Sequence, residues 1–416
     1  MKKCMPSARQ LEFQDWEFGI FLHFGIRTFC EGHRDWDGKP MDPSKFNPKE
    51  LDCNDWAKAA ADAGAKYMVM TAKHHDGFAN WPSKYTDFSV ASSKWKNGRG
   101  DVVKEYTAAC RRHGLKVGLY YSPADATTKS YPDSKTYDDY FINQVSEILL
   151  GYGQIDMLWF DGCGSEGHKY DWPRIMREVR RMQPKILIFN MGDPDYRWVG
   201  NEAGIAPMPI WNTVDAVDFS VMTSKKEKLK KKLWLPAECD FMMRDFNWFY
   251  SDKDGHTAKS MEELVGIYYY SVGRGCNMLL NIGPDRRGLF PNKDKQNLLK
   301  FGAEIKLRFS KPVVSLKDFT RKGDTWSFLL GDRKSIYMDN VVLQEDLKHG
   351  ESIKRFRISI MPYTTGKLIA VYEGYNVGHK AICQFPLIRA KEVIIQVLES
   401  DGKVQMRNIE AFRTGK

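Results

Sequence analysis

Much of what commonly assigns a sequence to a class is missing from this one. No apolar run approaches the roughly 18 residues that a membrane-crossing helix requires. The 33 glycines follow no triplet and no heptad persists, which excludes collagen-like and coiled-coil architectures. Internal repeats and low-complexity tracts are absent as well. Eight cysteines, at positions 4, 30, 53, 110, 163, 239, 276 and 383, form no CxxC pair and no zinc-finger spacing with histidine. Buried thiols are therefore expected rather than a disulfide framework. Met1-Lys-Lys-Cys-Met-Pro6 carries charge, but no apolar segment follows it, so no signal peptide is read. The cytoplasm is the expected compartment, with secretion or the periplasm applying if a leader has been removed.

What is present is a globular balance with a surplus of rings. Hydrophobic residues make up 42% of the 416 and aromatics 13%, enough apolar surface to offset the entropy of ordering the chain. At about 150 residues per domain, the length predicts two to three domains. Basic residues number 63 against 53 acidic, and the resulting +10 raises the question of an anionic partner. Six lysines sit in Lys225–Lys232 with no aromatic interleaved, which reads as a solvated face rather than a nucleic-acid site.

Along the chain, short apolar runs alternate with longer amphipathic ones up to about residue 310. Phe18–Gly25, Ala65–Thr71, Lys116–Ser122, Ile155–Asp161, Ile186–Asn190 and Asn277–Ile282 read as strands, with weaker ones at 216–221 and 233–238. Helices are predicted at 47–64, 101–114, 137–150, 171–182, 261–273 and 293–309. About eight β/α units of this size predict a (β/α)8 TIM-like barrel over 1–310. A doubly wound sheet is the runner-up, but no Gly-rich loop follows the first strand to hold a dinucleotide. After Pro312 the helices stop. Short alternating runs at 325–329, 336–343, 356–360, 368–372 and 393–397, separated by turns, predict a β-sandwich over 311–416.

Reactive groups of a barrel lie at the C-terminal ends of its strands. There the sequence offers His23, His74 and His75, then Tyr121, then Trp159 and Asp161 two apart on one face, with Glu202, Glu238, Asp240 and Arg244 beyond. Asp161 after an apolar run must be partnered or functional, because an unpaired buried carboxylate is costly. Trp36, Trp81, Trp159, Trp198 and Trp248 could supply flat faces for sugar rings, and two carboxylates on separate loops suit glycosidic cleavage. A metal-assisted hydrolase using His23, His74, His75 and Asp161 is the competing class. It has no HxH or HExxH motif, and adjacent histidines project to opposite sides of an extended strand. A non-catalytic glycan-binding protein is the third reading.

Leu22-His-Phe-Gly25, Lys73-His-His-Asp-Gly-Phe78, Gly100-Asp-Val-Val103, Leu158-Trp-Phe-Asp-Gly162 and Asn281-Ile-Gly-Pro-Asp-Arg-Arg-Gly288 together resemble the α-L-fucosidases of glycoside hydrolase family twenty-nine. Arg197–Glu202, Pro236–Asp240 and Trp248–Tyr250 resemble the subgroup that prefers α-1,3/1,4-linked fucosides, and Val341–Glu345 with Gly374–Lys380 its galactose-binding-like, discoidin-type sandwich. The resemblance implies a retaining exo-α-L-fucosidase that needs no metal or other cofactor. Asp161 would be the nucleophile, ionised near His and Arg, and Glu202 the acid/base, with Glu238 its alternative. It places His23, Trp36, His74, His75, Tyr121, Trp159 and Arg244 around the fucose ring. The implied partner is a fucosylated oligosaccharide, with no nucleic acid and no membrane, and self-association through the sandwich edge left open. One departure stands out: Ala124 occupies the place of the subgroup's tryptophan, which is expected to open the pocket rim.

Overall fold

The unalternating apolar runs of the first half form strands buried on both faces, and helices cover them. The computed structural model describes residues 4–30 and 39–415. Helix α1 (Ala8–Trp16) precedes β1 (Phe18–Leu22), and α2 (Cys53–Asp62), β2 (Tyr67–Lys73), α3 (Val102–Arg112), β3 (Lys116–Tyr121), α4 (Ser134–Gly151), β4 (Met157–Trp159), α5 (Trp172–Met182) and β5 (Leu187–Phe189) follow in alternation. Asp52, Asp101, Asp133 and Asp171 each cap the next helix by accepting a backbone N–H. Helix α1 starts at a Ser7–Gln10 capping box, but its apolar stripe is blurred because Gln10 and Gln14 share its buried side with Phe13 and Trp16.

Beyond β5 the alternation changes. Strand β6 (Arg197–Trp198) is joined to β5 by a loop, and an antiparallel hairpin, β7 (Thr213–Ser220) with β8 (Thr223–Trp234), stands where the next helix would be. The expected strand at 216–221 belongs to this hairpin. The one expected at 233–238 lies further on as β9 (Ala237–Met242), because Pro236 cannot donate to a ladder and the barrel strand begins only after it. Helix α6 (Met261–Tyr270), β10 (Asn277–Asn281) and α7 (Asn292–Phe309) complete the first half. The lysine run lies on β8 with all six lysines exposed, as a solvated face should.

The eight barrel strands run in the order β5-β4-β3-β2-β1-β10-β9-β6, all parallel. Asp195 N–H donates to the Ile188 carbonyl at 2.8 Å and Asn190 N–H to that of Tyr196 at 3.0 Å, so the two ends nearly close. The result is a TIM-like barrel in which two of the connections carry no helix. Its interior is filled by rings, Phe13, Trp16, Phe21, Tyr67, Tyr120, Trp159, Phe189, Tyr196 and Trp198 among them. A second apolar layer lies between strands and helices. Much of the aromatic surplus is core.

Eight further strands form the C-terminal sandwich: β11 (Val314–Ser315), β12 (Thr320–Lys322), β13 (Thr325–Leu329), β14 (Ile336–Glu345), β15 (Ile353–Pro362), β16 (Ile369–Gly374), β17 (Ala381–Ser400) and β18 (Met406–Phe412). Only the later part of β17 is legible as alternation. Its first half pairs with β14, and its second half is flanked by β13 and β15. Pro386 interrupts the pattern where the β14–β17 register slips, the position a sheet allows a proline. The sandwich has its own apolar core.

The sandwich is held from the N-terminal side of the barrel, by residues that precede the strands. His379 Nε2 and Lys380 Nζ meet the Glu17 carboxylate at 3.0 and 2.6 Å, Arg407 meets Asp15 at 2.5 Å, and the Asn212 side chain donates to Glu351 at 2.7 Å. Burial pushes the Glu17 carboxyl up, but Lys380 and His379 outweigh it and hold it at about 2, below its ordinary value of 4.5. A carboxyl depressed in this way adds stability above about pH 4.5 and loses it as pH falls toward 2. With Glu17 about one-fifth exposed, the contribution is on the order of 2–3 kcal/mol. Glu17→Gln should therefore lower the urea midpoint at pH 6, and the gap to the unsubstituted protein should shrink between pH 4.5 and 2. A gap that stays constant with pH would show that this ion pair does not hold the lobes together.

Candidate active site

The loop after β2 is fixed before any reactive group is considered. Lys73, at the strand's end, is fully buried and pairs with Asp125, equally buried, at 2.9 Å. Its ammonium also lies 4.4 Å from the centre of the Tyr121 ring, a cation–π contact that helps replace lost hydration. Ala126 N–H donates to the His75 carbonyl at 2.7 Å and the Thr127 hydroxyl to that of Asp76 at 3.0 Å, stapling the loops after β2 and β3. Gly77 turns the chain with φ +82°, and any Cβ there would strike Asp125 and Thr127. Because the chain leaves the extended conformation at His74, both His74 and His75 face one cavity, their rings 4.3 Å apart. The alternation expected of adjacent strand residues does not apply beyond Lys73.

That cavity, about 110 Å3 in volume, lies at the C-terminal ends of the strands. His23, His74, His75, Trp159, Asp161 and Glu202, all expected from the sequence, line it together. The Asp161 carboxylate accepts hydrogen bonds from the Tyr120 hydroxyl at 3.0 Å and the Cys163 N–H at 2.8 Å, and His75 Nε2 lies 3.6 Å away. Glu202 and Trp248 face the same space, and the Trp248 side chain partly offsets the effect of burial on Glu202. Gly162 lets the hairpin tip close in, since a side chain there would collide with the Phe219 carbonyl. Phe219, Ser220 and Val221 thereby become part of the cavity wall. No residue of the sandwich lines it among the described residues.

Burial dominates the electrostatics. It raises Asp161 to about 6 against the lowering effect of its two hydrogen bonds, and raises Glu202 to about 7 with the Asp161 charge adding to it. His23 and His75 are pushed down to about 3, and His74 goes the same way, so all three rings are neutral near pH 7. Asp161 does lie near a histidine, as expected, but that ring is neutral, and the groups that lower the Asp161 pKa are the Tyr120 hydroxyl and the Cys163 N–H. Asp240 also lines the cavity, accepts Trp198 Nε1–H at 2.7 Å, and is raised well above the carboxylate range by burial and then by Glu202. Glu238 lies outside the lining, accepting the Tyr67 hydroxyl at 2.6 Å and Trp159 Nε1–H at 2.8 Å.

Several expected positions fall elsewhere. Tyr121 points away into the helix layer, where its hydroxyl donates to Gln144 at 2.8 Å; strand alternation turns Tyr120 inward instead. Arg244 is not a lining residue. It pairs with Asp294 at 2.8 Å and Asp254 at 3.0 Å and donates to the Ser251 carbonyl, bracing the loop that carries Trp248. Trp81 is core, its indole N–H on Glu147, whereas Trp159, Trp198 and Trp248 do face the cavity. Trp36 lies outside the described residues. Ala124 is buried, packs close to Gly164 and is not among the residues that line the cavity. Tyr120 was within reach of the period-two rule; the hairpin tip had no local signal. Among the described residues, no three His, Cys, Asp or Glu side chains converge as a metal site requires. All eight cysteines are free thiols, and no described helix is long and apolar enough to cross a membrane.

Comparison with known proteins bears on this site. The sequence model of the family described as alpha-L-fucosidase matches residues 4–308. The alpha-L-fucosidase 1 of Arabidopsis thaliana is 36% identical over 351 residues, 82% of this chain and 67% of that protein. A solved glycoside hydrolase 29 family member from an unknown rumen bacterium superimposes with a TM-score of 0.90 at 31% identity, covering 99% of this chain and 78% of its own. A Ruminococcus gnavus fucosidase of the same family, solved in complex with fucose, gives a TM-score of 0.85 at 25% identity over 99% and 95% of the two chains.

The buried pair beneath the site is open to direct test. Lys73→Met strands the Asp125 carboxylate and should cost about 3–5 kcal/mol in urea unfolding, and Asp125→Asn should cost a similar amount. The double variant should recover a substantial part of the loss. Single variants as stable as the parent would show that the pair does not hold the loops.

Proposed function

The chain belongs to the α-L-fucosidase family and is a glycoside hydrolase that cleaves α-L-fucosides, and we propose that it does so by double displacement with retention, on α-1,3- and α-1,4-linked fucose. The observation that carries the mechanism is a pair of carboxyl groups of unequal proton affinity in one small cavity. Asp161, stabilised by two donors, is the nucleophile; Glu202, whose proton affinity is raised by burial and by Asp161 itself, is the acid/base. Asp161 attacks the anomeric carbon while Glu202 protonates the departing oxygen. Glu202, now a carboxylate, then takes a proton from water, which attacks the glycosyl-enzyme ester and returns Asp161.

Size and lining support a single sugar. A water needs about 10–15 Å3 of such space, so a cavity of about 110 Å3 has room for on the order of eight to ten water-sized groups, close to one pyranose. Trp159, Trp198 and Trp248 offer faces for its C–H groups, and His23, His74 and His75 offer nitrogen atoms for its hydroxyls. Room for one sugar suits a terminal residue, hence exo action. The linkage preference rests on the subgroup resemblance of Arg197–Glu202, Pro236–Asp240 and Trp248–Tyr250.

NMR of an aryl α-L-fucoside digest should show α-fucose as the first-formed sugar; β-fucose first would overturn retention. Asp161→Ala should lower turnover by several orders of magnitude. Azide should rescue Glu202→Gly and leave Glu238→Gly unrescued, and the reverse pattern would exchange their roles. A Lewis-type trisaccharide should be cleaved faster than an α-1,2-fucosylated lactose.

The pH dependence follows from the two carboxyls. Asp161 must be ionised and Glu202 protonated, so kcat/KM should rise through about pH 6 and fall through about pH 7. The Tyr120 hydroxyl lowers the Asp161 pKa, so Tyr120→Phe should move the rising limb to higher pH and narrow the bell. An unmoved rising limb would mean that Asp161 does not set it.

A further inference from the structure

Two of the cavity's histidines have their protons fixed by residues behind them. The Asn281 side-chain NH2 donates to the Trp248 carbonyl at 2.8 Å, which settles which way the amide lies. Its Oδ1 then faces His23 Nδ1 at 2.8 Å and can only accept, so Nδ1 bears the ring proton. The same logic recurs at His75 through different chemistry. Ser122 Oγ–H donates its one proton to the Ala124 carbonyl at 2.7 Å, and His75 Nδ1 approaches that oxygen at 2.5 Å. Ser122 can therefore only accept there, and His75 too carries its proton on Nδ1.

We propose that Asn281 and Ser122 are positioning residues that lock His23 and His75 as Nδ1–H tautomers, so that both present an Nε2 lone pair to the ligand and select sugar hydroxyls that donate. The recognition half of this rests on the fucoside reading above; the tautomers do not. Burial holds both rings neutral, which keeps the lone pairs available across the working pH range. His75 adds a consequence for the nucleophile. Its Nε2 lies 3.6 Å from Asp161 Oδ2 and 3.4 Å from the Tyr120 oxygen, whose proton is on Asp161, so ring, phenol and carboxylate face one space. A ligand hydroxyl can donate into that space, which a group that only accepts cannot do. Asn281 also ties His23 to the backbone of Trp248, whose side chain lines the same cavity as Glu202.

The lock is read directly from long-range 1H–15N correlation spectra of the ligand-free protein, with His23 and His75 assigned by single His→Gln replacement. Both should show protonated Nδ1 and bare Nε2. In Ser122→Ala, His75 should shift toward the Nε2–H form, while Ser122→Thr, which keeps the hydroxyl, should retain the parent spectrum. Asn281→Asp, which keeps the acceptor, should likewise leave His23 with its proton on Nδ1. Competitive inhibition of aryl α-L-fucoside hydrolysis by L-fucose and its 3- and 4-deoxy and deoxyfluoro analogues reads the selection. At the positions that meet the locked rings, deoxy and fluoro forms should both bind at least tenfold more weakly than fucose, because fluorine cannot donate. In Ser122→Ala the fluoro form should regain affinity over the deoxy form. An Nε2–H tautomer in the parent protein would overturn the lock whatever the ligand. Correct tautomers with fluoro analogues bound as tightly as fucose, or with no inhibition by fucose, would overturn the recognition claim alone.

Discussion

The ion pair between Lys73 and Asp125 is the constraint on which the site depends. Two opposite charges fully withdrawn from water are tolerable only in a tight geometry with every remaining valence used. Here the ammonium also reaches the Tyr137 hydroxyl and the Tyr121 ring, and the carboxylate accepts the N–H groups of Thr127 and Thr128. The pair therefore cannot slide. It joins the end of β2 to the loop after β3, and the segment between its anchors carries His74 and His75, while Ser122 comes from the strand beside it. Tyr121, which faces away from the cavity, belongs to this support, and its position beside Tyr120 shows one strand serving both sides of the wall.

Among the described residues, no lysine or arginine lines the cavity. Its histidines are neutral, and the guanidinium of Arg244 is occupied by Asp254 and Asp294 away from the lining. Three carboxyl groups, Asp161, Glu202 and Asp240, share an aromatic enclosure with only hydrogen-bond donors to moderate them. Such an arrangement cannot keep all three ionised, and burial raises every one of them. Two hydrogen bonds oppose burial at Asp161, which reaches about 6, whereas the Asp161 charge adds to burial at Glu202 and the Glu202 charge adds to it at Asp240. Unequal roles thus arise from equal side chains through their surroundings.

Much of the barrel was legible because parallel strands buried on both faces write themselves as continuous apolar runs, and Asp caps mark where helices begin. The candidate site was legible where residues sit at strand ends: His23, Trp159 and Asp161 follow from that rule. Tyr121 was misread for Tyr120 because alternation fixes which pairs share a face, not which face is inner. Arg244 and Trp81 carry polar atoms whose partners, Asp294 and Glu147, lie 50 and 66 residues away. No local pattern reveals such satisfaction. The apolar stripe of helix α1 was blurred by its buried glutamines, leaving only the Ser7–Gln10 capping box to mark it, and the first half of β17 was hidden by a proline that only a bulge explains.

The hairpin of β7 and β8 pairs with itself and with no barrel strand. Adding or removing residues in cross-strand pairs would lengthen or shorten it without slipping the register of any barrel strand. Its tip nevertheless supplies Phe219, Ser220 and Val221 to the cavity wall. The fold thus keeps its chemistry on rigid strand ends while giving one wall to a detachable panel. That is the part of the enclosure a lineage can reshape without rebuilding the barrel.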